Sequence, residues 1–226
     1  MRAAAGRSGP QELHATLAQL HAADPSAREA AARQLAALRD PSAAPLLAAA
    51  LHDSELRVHT AAEASLWTLW CISGDVAADA ALQAGIRIMS AAAAAAGAQA
   101  LEDALDAFTE VTKMAPDFAE GHNKRATVLY LLKRYDASLE ACERVIALNP
   151  QHFGALSGGG MCALSWGDMD VALRWFRAAL EINPRLEGAL QYVQMLERAT
   201  AKAREGGGAT EGAAPEDNTG AGGASA

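Results

Sequence analysis

Three prolines, Pro116, Pro150 and Pro184, stand 34 residues apart, and the frames they close run 85–118, 119–152 and 153–186 without insertion. A fixed period of this length constrains the fold more than any composition, because each unit must bury its apolar face against the next copy rather than in one shared core. Equivalent positions agree in chemistry. Small residues hold the eighth place (Ala92, Ala126, Gly160) and the twentieth (Ala104, Ser138, Ala172), where two helices must cross closely. Larger groups hold the twenty-fourth (Phe108, Cys142, Phe176), the twenty-first (Leu105, Leu139, Leu173) and the seventeenth (Leu101, Tyr135, Met169).

The 57 alanines among 226 residues favour helix in each half of a unit. Acids near Tyr135-Asp136 and at Asp168 and Asp170 suit the positive end of a second helix. Asn149-Pro150 and Asn183-Pro184 then end it, since proline disfavours helical geometry in the residue before it. These units resemble the tetratricopeptide repeat, a helix, a short turn and an antiparallel helix. The resemblance implies an all-α fold: a right-handed alpha-alpha superhelix with repeats at 85–118, 119–152 and 153–186. Residues 187–204 continue as a polar-faced capping helix with Leu190, Val193 and Leu196 on its apolar side.

Residues 10–84 have another rhythm. Asp24 and Asp53 each open a helical stretch with an arginine four residues on, Arg28 and Arg57. This segment resembles the short HEAT-like repeat of the phycobiliprotein-lyase type, in which the aspartate caps a helix and the arginine contacts the neighbouring repeat. Trp67 and Trp70, three residues apart, are expected to seal the junction between the two repeat types.

The ends differ from the middle. Residues 1–9 are small and basic, read as a frayed terminus or the remnant of a transit peptide. Residues 205–226 are Gly, Ala, Thr, Ser and acids, too polar to bury a core. Four acids fall there, half of the chain's net charge of −8.

Several function classes drop out. An acidic chain offers no broad grip on nucleic acid, and its longest apolar stretches are too short for a membrane span. The six histidines show neither HExxH nor paired Cys/His spacing, so no metal or other cofactor is expected. Cys71, Cys142 and Cys162 form no CxxC pair and sit beside no activating His and acid. Gly158-Gly159-Gly160 lies inside an expected helix and lacks a following Lys-Ser/Thr, which argues packing rather than phosphate binding. Arg125, at the place of a usual leucine in the preceding unit, is expected to cover the space at Gly159. The chain therefore reads as a non-enzyme of the cytoplasm or an organelle, the plastid stroma among the possibilities.

The tetratricopeptide resemblance implies a concave groove lined by the first helix of each unit. Carried over, the groove residues are Met89, Glu120, Asn123, Thr127, Tyr130, Leu131, Ser157, Met161 and Leu164, with Ile86, Ala93, Ala96, Gly97, Gly154 and Ser165 beside them. Mostly uncharged, they suit a peptide or protein segment, with the Asn123 amide on its backbone. The family's clamp for acidic chaperone tails is missing: Met89, Ala93, Gly154 and Gly158 replace its polar and cationic residues, and only Asn123 and Lys124 remain near place. An adaptor or assembly scaffold is the reading that follows. The alternative is an auxiliary factor in cofactor or pigment attachment, or in assembly of a photosynthetic complex, which rests on the HEAT-like resemblance alone.

Overall fold

Aspartates placed just before apolar runs start the first helices. Asp24 accepts the Ser26 N–H at 3.0 Å and opens α2 (Pro25–Leu38), and Asp40 does the same for a 3-10 turn at Pro41–Ala43 through Ser42. The computed structural model describes residues 10–95 and 98–207. Among these lie eleven α-helices and no strand. The predicted tail at 1–9 and residues 208–226 of that at 205–226 lie outside the described residues, while 205–207, read as tail, form the last residues of α11.

Four helices form an N-terminal unit: α1 (Pro10–Gln19), α2, α3 (Ala44–Ala50) and α4 (Leu56–Trp70). Leu20, Ala31, Leu35, Leu47, Ala62 and Leu66 are buried between them. Arg28 joins the two helical stretches through Asp53. Its Nε and Nη2 donate to the two carboxylate oxygens of Asp53 at 2.7 and 2.9 Å, and its Nη1 donates to the Ala22 and Ala23 carbonyls. A planar guanidinium matches a carboxylate in this two-point manner where an ammonium cannot.

Seven further helices stack in chain order, each against the next: α5 (Val76–Ala95), α6 (Ala98–Met114), α7 (Ala119–Leu131), α8 (Tyr135–Leu148), α9 (Phe153–Ser165), α10 (Met169–Ile182) and α11 (Glu187–Gly207). The small positions mark the crossings. Ser138 Oγ on α8 donates to the Ala126 carbonyl on α7 at 2.9 Å, and a Cβ at Gly160 would lie 2.8 Å from the Phe176 ring. Helices this close leave no room for larger side chains. Asp168 caps α10 through the Val171 N–H, and Asn149 and Asn183 leave helical geometry before their prolines, as the sequence implies.

One expectation at Gly159 is corrected. The atoms nearest a Cβ built there belong to Trp175, at 2.8 Å, so an indole rather than the Arg125 stem fills that space. Gly159 and Gly160 answer to aromatic rings on the following helix, and Gly158 to the Cys142 sulfur on the preceding one.

The two parts meet along the ends of the repeats. Helix α4 passes the starts of α11, α9 and α7, where Arg185 Nη2 donates to the Ser54 carbonyl at 2.9 Å and Trp67 and Trp70 lie against Phe153.

Candidate functional site

The first turn of α7 brings an acid into the interior. Glu120 has no exposed surface, and a lone buried carboxylate would be prohibitively costly. Three neighbours engage it, two by hydrogen bonds to Oε2 and one by an ion pair at Oε1. His152 Nε2 lies 3.0 Å from Oε2, Asn123 Nδ2 donates to the same oxygen at 3.0 Å, and Lys124 Nζ stands 2.8 Å from Oε1. Burial pushes the Glu120 carboxyl up, but His152 and Lys124 together outweigh it and hold the pKa below its ordinary value.

The hydrogen bonds of His152 fix its tautomer. Its Nδ1 accepts the Ala155 N–H at 3.1 Å, capping α9, so that nitrogen carries a lone pair. Nε2 must then bear the proton and donate to Glu120. The imidazole is neutral in this arrangement, and Lys124 supplies the charge that balances the carboxylate.

Helix α4 closes the arrangement from outside. The Trp70 indole stacks on the His152 ring with centroids 4.4 Å apart and planes inclined by 21°. Trp67 meets the same ring edge-on at 5.5 Å, with Lys124 Nζ 5.8 Å above the indole. Room for Trp67 comes from Gly154, where a Cβ would stand 2.5 Å from the indole Cη2. Beside Trp70 a cleft of about 570 Å³ opens between Pro41 and Pro45 on one side and the Ala115–Ala119 and Asn149–Gln151 turns on the other.

The predicted groove residues divide accordingly. Glu120 and Asn123 are buried beneath α4, and the Asn123 amide that the sequence reading assigned to a peptide backbone is bonded to Glu120. Thr127 is exposed, Leu131 is 47% exposed, and Tyr130 is half-buried with its ring leaning on Tyr135 at 5.4 Å. Ser157, Met161 and Leu164 are half-buried along α9, and Ser165 is exposed. Met89 and Ile86 are half-buried on α5, against the core around Phe108. Ala96 and Gly97, and the Ala93 side chain, lie outside the described residues. Trp67 and Trp70 do seal a junction, but with the start of the third repeat rather than the first. His152, Lys124 and Gly154 were not read as its partners; a glycine at the second place of a repeat, where its neighbours carry Ile86 and Glu120, was the available signal.

The thiols are set for packing. Burial pushes Cys71 up to about 11 and Cys142 up to about 12, far from a reactive thiolate at neutral pH. Among the described residues no three of His, Cys, Asp and Glu gather as a metal set, and no helix is long and apolar enough to cross a membrane.

Comparison with known proteins assigns the repeat type. A family model described as tetratricopeptide repeat matches residues 119–152, and a second with that description matches 160–186. Two stretches of the chain thus match the tetratricopeptide repeat. A TPR repeat-containing protein of Rhizobium etli is 36% identical over 93 residues, covering 41% of this chain and 46% of that protein. The chain thus spans about half the length of the curated relative it matches. Among solved structures, the first TPR of Spaghetti (RPAP3), bound to the HSP90 peptide SRMEEVD, superposes with a TM-score of 0.50 at 19% identity, over 55% of this chain and 93% of that one. MamA does so with a TM-score of 0.50 at 16% identity, over 68% and 89%. At these identities the likeness is one of fold alone.

Proposed function

We propose that the chain is a non-enzymatic adaptor that holds an apolar peptide or protein segment against the C-terminal halves of α7 and α9. The observation that carries this reading is the division of the groove: its near half lies under α4, while Thr127, Leu131 and Ser165 stay exposed with Tyr130, Met161 and Leu164 half-buried between them. Apolar groups clustered at a surface that neighbouring helices leave uncovered are a common mark of contact. Methionine and tyrosine adapt to a segment without demanding one geometry.

The electrostatics favour an uncharged ligand over an acidic tail. Asn123 and Lys124, the residues nearest to a carboxylate clamp, are both engaged by Glu120. Gly154 lies under Trp67 and offers no donor.

A phage-displayed random peptide library selected on the full chain tests the proposal. Enriched apolar peptides are expected to bind in the micromolar range, about −8 kcal/mol, with little dependence on salt. Leu131→Ala and Leu164→Ala are each expected to weaken them about tenfold, near 1.4 kcal/mol. Peptides that bind both variants as tightly as the native chain would place the site elsewhere.

A further inference from the structure

We infer that the starts of α7 and α9 form a socket for a helix bearing two tryptophans one turn apart, and that α4 is its resident, detachable occupant. This goes beyond the proposed groove site, since it concerns the covered half of the array.

The socket is built for indoles. Gly154 removes the one side chain that would collide with Trp67, at 2.5 Å, although glycine inside a helix costs about 1 kcal/mol relative to alanine. His152 is held flat by its bonds to Glu120 and Ala155 and offers a face to Trp70, and Lys124 stands over Trp67. Side chains fixed from behind in this way are pre-organised, so a ligand does not spend free energy ordering them.

The occupant is arranged to leave as a body. The other face of α4 packs in its own unit, where Ala62 and Leu66 join Leu35 and Leu47, and the buried cluster continues into the array through Trp70 and Phe153, so undocking opens it at the tryptophans. Ser65 Oγ donates to the Ala32 carbonyl at 2.8 Å and ties α4 to α2 as well. The connection to α5 runs through residues 71–75, where Gly74 has φ of +87°, a geometry suited to a hinge. Against the array α4 sets Trp67 and Trp70, and the turn before it accepts the Arg185 bond at Ser54. A partner helix with the same pair of indoles on an apolar face fits the socket by the helix-in-groove mode. It must outcompete α4, whose tether gives it a high effective concentration.

The test uses a fluorescein-labelled peptide of residues 56–70 and the full chain, read by anisotropy. Trp67→Ala/Trp70→Ala empties the socket and is expected to bind the peptide at least tenfold more tightly than the native chain. Adding Gly154→Val is expected to abolish that gain, and a peptide with both tryptophans replaced by alanine is expected not to bind. Equal binding by the native and doubly substituted chains, or no effect of Gly154→Val, overturns the inference. Should circular dichroism show the double variant unfolded, Gly154→Val alone is expected to speed amide exchange in α4 and in residues 119–125 while α8 and α10 keep their rates. Unchanged exchange there overturns the inference too. Peptides selected for the open groove are expected to bind the double variant undiminished, so the two proposals fail separately.

Discussion

Glu120 and His152 meet with no exposed surface on either side chain, joined by a bond of 3.0 Å between Oε2 and Nε2. The pair links the second place of one repeat to the last place of the same 34-residue unit, so it ties the starts of two successive first helices together. His152→Ala removes both this bond and the cap on Ala155. A cost of about 3 kcal/mol is expected, the range for breaking a buried charged network from one side, measured as the urea unfolding free energy.

The same carboxylate sets an acid response. Its pKa lies below the ordinary 4.5 in the folded chain, so the stability it contributes is present above that value and is lost as pH falls through the lower folded one. Glu120→Gln has no such proton to gain. The variant is expected to be less stable at pH 7 and to show a shallower decline of stability below pH 4.5 than the native chain, read by urea titration at each pH.

Two glycines are expected to respond to alanine with opposite sign. Gly159→Ala would press a Cβ to 2.8 Å from Trp175 and is expected to lose about 1–3 kcal/mol through overpacking. Gly188 in α11 has nothing within 4 Å, so Gly188→Ala is expected to gain up to about 1 kcal/mol from helix propensity. Thermal and urea unfolding of both variants checks the pair.

Arg28→Lys keeps a charge beside Asp53 but gives up the two-point geometry and the bonds to Ala22 and Ala23. Its thermal midpoint is expected below that of the native chain, and Arg28→Ala lower still. A lysine variant as stable as the native chain would mean that charge alone holds this joint.

Cys71 is half-buried, with its thiol pushed up to about 11 by burial and, less strongly, by the Glu120 charge. Iodoacetamide is expected to modify it at pH 7.5 at least tenfold more slowly than free cysteine. Trp67→Ala/Trp70→Ala, by loosening α4, is expected to raise that rate.

What could be read from the chain alone follows from distance along it. The helices of the second and third repeats were legible because Pro150 and Pro184 and the small residues Ala126, Ser138 and Gly160 act within one 34-residue unit. The Asp24 and Asp53 spacing marked where helical stretches begin, but it did not name Asp53 as the partner of Arg28. The docking of α4 was not legible. Trp67 lies outside the 34-residue frames and Gly154 within one, so no periodicity relates them; only the fold sets one over the other. Asn123 was assigned to a ligand because its place in the repeat faces the groove, but a nearby buried acid, Glu120, takes its amide first. The open part of the groove at Thr127, Tyr130 and Leu131 could be placed by register, whereas its boundary depends on where Trp67 and Trp70 lie.

The most direct measurement of the adaptor reading is the amide-exchange footprint of a library-selected peptide on the full chain. Added protection is expected at residues 127–131 and 161–165, the exposed ends of α7 and α9. Protection confined to α8 and α10 would contradict it.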